Sequence, residues 1–201
     1  MLSQLDNIIF PDLCEVLEVA PQRYVYPIYK NGSSSLTNSG FRVLAMTELP
    51  FLDTVEIFVR DPFDRFFSGL STWIEYNFHL DKDTLLTLAA DHLFINRHYA
   101  PQFHWLVNLH RFTTAKIKIN PFAELSTITN LHLNENKHKC HYDINQFPKV
   151  AFYMQLDKVL TETLIGQTVE FPEIVQAVKE NHPDVYQEVI QRSIDLCNVL
   201  A

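Results

Sequence analysis

The stretch V-E-I-F-V-R-D-P-F-D-R-F-F-S-G-L, residues 55–70, decides the fold. Val55 to Val59 is β-branched or aromatic except at Glu56, which is how a strand reads. Pro62 cannot continue a central strand and suits the first turn of a helix. Beyond it Phe63, Phe66, Phe67, Leu70, Trp73 and Ile74 recur at helical spacing. A strand that gives way to a helix across Arg60-Asp61-Pro62 is one β–α step, and it predicts further steps of the same kind on either side.

They are present. Arg23–Tyr29 (RYVYPIY), Phe41–Met46 (FRVLAM) and Ala115–Ile119 (AKIKI) read as strands. Helices are predicted over Asp12–Val19, Leu85–Phe94, Pro101–Phe112, from Pro121 onward, and over Leu156–Leu164, Glu173–Glu180 and Val185–Leu200. Lys30–Ser35 (KNGSSS) is a turn whose serines can cap a short helix beginning at Leu36. Strands alternating with helices predict an α/β protein with a mostly parallel central sheet and a helical C-terminal part, in one domain spanning 1–201. His132–Phe147 is polar and reads as a long surface loop.

Composition narrows the function. The chain has 201 residues, 47% of them hydrophobic, enough for a sizeable core. Lys plus Arg is 16 and Asp plus Glu is 24, a net charge of −8, so nucleic acid is not an expected partner. The four glycines make no dinucleotide fingerprint and none precedes Lys, so a Walker A loop is absent. Three widely spaced cysteines, Cys14, Cys140 and Cys197, suit a reducing compartment. Cys140 and His141 lie near His132 and His138 without CxxC or HExxH spacing, so no metal is expected. No basic-then-apolar leader and no apolar run of about 18 residues is found, and a cytoplasmic location without a membrane span is the expectation.

In a parallel sheet ligands bind beyond the carboxyl ends of the strands. Two segments fall there. In Y-K-N-G-S-S-S-L (29–36) a strand stops, Gly32 lets the backbone approach an anion, and a helix start offers N–H groups, three hydroxyls and the Lys30 ammonium. In R-D-P-F-D-R-F-F-S (60–68) Arg60 leaves the strand end, placed for two-pronged phosphate binding unless it pairs with Asp61 or Asp64.

With these two segments in hand, the chain resembles the sulfotransferase superfamily, in its carbohydrate-type, membrane-associated branch. KNGSSSL (30–36) is similar to the family's Lys-x-Gly-(Ser/Thr)-(Ser/Thr) loop, and RDPFDRFFS (60–68) to its Arg-(Asp/Asn)-Pro-x-x-Arg-x-x-Ser element. NRHYAPQ (96–102) resembles a His-aromatic-x-Pro-Gln element of that branch, and VYQEVIQRSIDL (185–196) its closing helix. Tyr29 stands where the family usually has Pro. The resemblance implies a P-loop-like three-layer fold and transfer of a sulfuryl group from 3′-phosphoadenosine 5′-phosphosulfate (PAPS) to a hydroxyl acceptor, a carbohydrate or small molecule. It implies that Lys30, Asn31, Gly32, Ser33, Ser34 and Ser35 hold the 5′-phosphosulfate, that Arg60 and Ser68 hold the 3′-phosphate, and that Lys30 steadies the leaving phosphate without a metal. For the proton acceptor two candidates stay open: His98, in the family-like element, and Glu48, after the second strand. The other readings are a P-loop-like nucleotide or small-molecule kinase, for which only Asp61 offers a carboxylate at a strand end, and a non-catalytic module that binds the bisphosphate product PAP.

Overall fold

The structure is a computed structural model that describes residues 15–76, 84, 87, 98–128, 143, 145 and 147–188. All of the expected Leu85–Phe94 helix except Thr87, most of the 132–147 loop, the three cysteines and the end of the 185–196 segment lie outside the described residues.

Six strands form one sheet. They are β1 (Leu17–Ala20), β2 (Arg23–Val25), β3 (Arg42–Val43), β4 (Thr54–Val59), β5 (Lys116–Pro121) and β6 (Thr168–Val169), in the spatial order β3-β1-β2-β4-β5-β6. β2, β4 and β5 run parallel at the centre, and the other three pairings are antiparallel. The sheet is therefore mixed, with the expected parallel arrangement confined to its centre. β4 and β5 pair along their whole length, from Thr54 opposite Lys116 to Val59 opposite Pro121.

Helices α1 (Ser33–Thr37), α2 (Pro62–Tyr76), α3 (Gln102–His110), α4 (Pro148–Lys158) and α5 (Phe171–Asn181) complete the α/β arrangement, and residues 183–188 are also helical. Side chains alternate across a strand, so β4 divides the core. Val55, Ile57 and Val59 join the larger cluster with Phe66 and Leu70 of α2, Leu106 of α3, Met154 of α4 and Ile174 of α5. Phe58 faces the other way, with Leu17, Val25, Leu36 of α1, and Leu125 from a 3₁₀ turn over Phe122–Thr127. Each fully buried aliphatic or Phe side chain here contributes about 1.5–3 kcal/mol against exposure. Glu56, on the face of Phe58, is tolerated in a central strand because Arg23 grips both its oxygens (3.1 and 3.0 Å) and Asn120 donates to it (3.1 Å).

The N-terminal expectation is corrected. The last residues of the helix expected over Asp12–Val19 instead belong to strand β1, Leu17–Ala20, in a hairpin with β2. The turn is Pro21-Gln22, and Gln22 takes the left-handed conformation (φ 61°) that usually marks Gly or Asn. The strand predicted over Arg23–Tyr29 stops at Val25, because one more ladder bond forms (Tyr26 N to Glu56 O, 2.9 Å) and Pro27 then has no N–H to offer. The strand at Phe41–Met46 shrinks to Arg42–Val43, and the helix predicted at Leu156 already begins at Pro148 and passes into a π turn at Val159–Thr163.

Candidate functional site

Because β2 and β4 are parallel neighbours, the chain leaves both at one rim of the sheet. After β2, Ile28 O accepts the Asn31 N–H (3.0 Å) and closes a tight turn. Lys30 sits inside it with φ 68° and Gly32 follows with φ 77°. The left-handed conformation costs a non-glycine residue about 1–2 kcal/mol, so it persists only where the flanks are fixed. They are fixed here. Arg65 Nε donates to Tyr29 O (2.9 Å), and Asn31 Nδ2 donates to Phe58 O (2.8 Å) and to Gln102 Oε1 (2.5 Å). Held in this way, Lys30 points its ammonium at Thr72 of α2 (Nζ to Oγ1, 2.5 Å).

The second segment starts at the next residue after β4. Asp61 Oδ1 accepts the N–H groups of Phe63 (3.0 Å) and Asp64 (2.8 Å), so Asp61 caps α2 with Pro62 in its first turn. Asp61 is spent on that cap, and among the described residues Arg60 forms no ion pair with it or with Asp64. The Arg60 guanidinium instead lies over the Phe122 ring, 5.8 Å from its centroid. The Arg60 main chain is bound on both sides by Gln102: its N–H donates to Oε1 (3.1 Å) and its carbonyl accepts from Nε2 (2.9 Å).

One helical turn into α2, Arg65 is wholly buried. Besides Tyr29 O it donates through Nη1 to Ala100 O, tying the Lys30 turn to the 98–100 segment. Burial lowers its pKa to about 10, with Asp157 opposing and Arg60 adding to the fall. Asp157 of α4 is equally buried and accepts the N–H groups of Gln102 (2.7 Å) and Phe103 (2.9 Å), which begins α3. Burial lifts its carboxyl to about 6, against the pull of Arg65 and of those N–H donors.

Lys30 is drawn below its usual pKa first by burial, then by the Arg65 charge, with Arg60 acting in the same direction and Glu75 against it. Three cationic side chains therefore sense one another at this rim, in a chain whose net charge is −8. Like charges held together are unfavourable alone and become favourable around a bound anion.

The sequence-derived residues divide accordingly. Lys30, Arg60 and the 98–102 element are brought together. Asn31 is corrected: its N–H is taken by Ile28 O and its amide group is buried between the two loops, so it braces the turn and has no N–H left for a phosphate. The serines do not cap the short helix. Gly32 occupies the cap position without a side-chain bond, Ser33 and Ser35 are buried inside α1, and Ser34 is exposed. Ser68 is buried one turn before Thr72, whose hydroxyl donates to its carbonyl (3.2 Å), and so lies on the Lys30 side of α2, with no hydrogen bond to Arg60. His98 lies beside Tyr29 (ring centroids 5.8 Å apart) and Tyr76 (6.2 Å). Its carbonyl abuts α2 at Gly69, where a Cβ would come within 2.1 Å of the oxygen. Glu48 is held elsewhere, at the β3 edge, by both Arg42 contacts (3.0 and 3.1 Å) and the Ala45 N–H (2.8 Å). The Ala45 N–H, then Arg42, holds its carboxyl below the usual range, which makes it a poor proton acceptor.

The sequence reading gives no role to Arg65, Gln102 or Asp157. The available signals are motif positions, Arg65 as the second Arg of RDPFDRFFS and Gln102 as the last residue of NRHYAPQ; Asp157 has none.

The chain matches no protein-family model, and comparison with curated proteins and with solved structures found no match. Among the described residues no helix is long and apolar enough to cross a membrane.

Proposed function

We propose that the rim between the Lys30 turn and Arg60 binds a nucleotide carrying phosphates at both its 5′ and 3′ positions, and that the protein transfers the sulfuryl group of PAPS to a hydroxyl acceptor. The observation that carries this reading is the convergence of Lys30, Arg60 and Arg65 on one rim, together with the family-like sequences that hold them. The Lys30 turn takes the 5′-phosphosulfate, with the backbone at Gly32 and the exposed Ser34 hydroxyl completing the cradle. Arg60 moves off Phe122 to take the 3′-phosphate, with Ser68 on the adjoining face of the helix.

In the reaction the acceptor oxygen forms a bond to sulfur as the bond from sulfur to the bridging oxygen breaks. The leaving 5′-phosphate gains negative charge, which Lys30 offsets from its place at Thr72. The acceptor proton goes to His98, whose neighbours Tyr29 and Tyr76 offer aromatic faces beside the reacting groups. Most of the rate gain comes from position and charge, as in phosphoryl transfer. The acceptor is a carbohydrate or small molecule that is not strongly acidic, since a chain of net charge −8 is poorly suited to a polyanionic acceptor. The kinase reading is weakened because one oxygen of Asp61, the carboxylate at this strand end, is taken by the cap of α2.

The test is transfer of radiolabelled sulfate from PAPS to a panel of hydroxyl acceptors, run beside ATP with Mg²⁺ as a phosphate donor. Transfer from PAPS that Lys30→Ala abolishes supports the reading. Transfer from ATP alone establishes the kinase. Tight binding of PAP with no transfer to any acceptor reduces the protein to a binding module.

A further inference from the structure

The two loops of the rim meet on one atom. Gln102 Oε1 accepts both the Asn31 side-chain N–H of the first loop and the Arg60 main-chain N–H of the second. The same amide returns a donor, Nε2, to the Arg60 carbonyl. Arg60 lies just past the end of β4, and the side-chain amide gives it a donor and an acceptor, as a neighbouring strand would. Near-isosteric side chains do not reproduce this: Glu lacks the donor when ionised, Met has no donor and only a weak acceptor, and Asn is shorter by one methylene. Gln102 is itself immobilised, being fully buried with its main-chain N–H held by the Asp157 carboxylate.

We infer that Gln102 is a positioning residue for anion binding, fixing Arg60 at a set separation from the Lys30 turn so that both reach one nucleotide. The inference rests on the nucleotide reading above. It goes further by assigning a role to a residue that touches no phosphate: beside the bonds from Arg65 to Tyr29 O and from Asn31 to Phe58 O, the Gln102 amide is the link that holds the Arg60 main chain itself. Free of that amide, Arg60 would keep its charge and its ring contact with Phe122 while losing the main-chain anchor that aims it.

The experiment is a double-substitution cycle with calorimetric titration of PAP and of inorganic pyrophosphate, using Gln102→Met, Arg60→Ala and the pair together in the full chain. Gln102→Met is expected to weaken PAP about tenfold or more. Arg60→Ala, costly in the unaltered protein, is expected to add less than about twofold to it. A purely structural Gln102 would lower stability and leave the two losses multiplying, and multiplied losses or unchanged PAP affinity overturns the inference. If Gln102→Met does not fold, Gln102→Glu, which keeps the acceptor and loses the donor, is judged by the same two criteria. If the unaltered protein binds neither PAP nor pyrophosphate, the nucleotide reading fails by itself. The positioning role is then decided by hydrogen exchange at the Arg60 amide: faster exchange by about tenfold or more in the variant, relative to the β4 amides, supports it, and unchanged exchange overturns it.

Discussion

Replacing Gly69 by alanine asks whether the 98–100 segment is clamped against α2. An alanine Cβ would stand 2.1 Å from His98 O, 2.6 Å from its carbonyl carbon and 2.9 Å from the Tyr99 Cβ. Contacts under 3.0 Å are not sustained, so helix and segment must part by at least 3.0 − 2.1 = 0.9 Å. The atoms met are mainly backbone, so no side-chain rotation relieves them. Forced repacking of this kind costs about 1–3 kcal/mol, and a rigid obstacle puts Gly69 at the upper end. Against it stands the helix preference for Ala over Gly, about 1 kcal/mol. The net expectation is a loss of about 2 kcal/mol, or roughly 4–8 °C in Tm for a chain of this size. Urea unfolding followed by circular dichroism gives the number. The sign is decisive: an open helix surface at Gly69 would make the alanine variant more stable by about 1 kcal/mol, and that result would refute the close packing on which the placement of His98 and Ala100 depends.

The remaining expectations concern the charges. Lys30→Gly should be about 1 kcal/mol more stable than Lys30→Ala in denaturant titration, because only glycine is free of strain at φ 68°, while both lose sulfate transfer. Arg65→Met removes two hydrogen bonds from a buried guanidinium, to Tyr29 O and Ala100 O, and the charge that opposes the upward shift of Asp157; it should cost about 3 kcal/mol or more, and adding Asp157→Asn should cost less than the sum of the two single losses. The Asp157 carboxyl rises from 3.8 to about 6 on folding, so the folded state holds its proton more tightly and the stabilisation this gives is lost as pH rises through about 6. The stability gap between the unaltered protein and Asp157→Asn should therefore narrow by roughly 2 kcal/mol from pH 4 to pH 7, and a gap that widens with pH would contradict this burial.

What could be read from the sequence follows physical lines. β4 and α2 were legible because an apolar strand, a capping Asp61, Pro62 and a helical apolar stripe all favour the same local structure. β1 was not, since its hairpin turns on Gln22 in a conformation that no glycine announces. Lys30 and Arg60 stood out because chemistry-bearing residues fell at strand ends. Asn31 was misread because a polar residue next to a glycine suggests an open turn, whereas its amide is enclosed by the second loop. Arg65 stands at a motif position and Asp157 at none, but the role of neither is legible, because charged residues on helices are ordinarily solvated and only the tertiary structure shows both enclosed. Gln102 could be quoted as part of a motif, but its two-sided hold on Arg60 depends on strands and helices distant in sequence.

The most direct measurement is calorimetric titration of PAP and of adenosine 5′-phosphate, without Mg²⁺, into the unaltered protein and Arg60→Ala. The expected result is one site that prefers PAP by about tenfold or more, a preference lost in the variant, since a charge-assisted contact contributes about 1.5–3 kcal/mol. Equal affinity for the two nucleotides in the unaltered protein, or a preference for PAP that survives the loss of Arg60, would contradict the claim that the two loops hold opposite ends of one nucleotide.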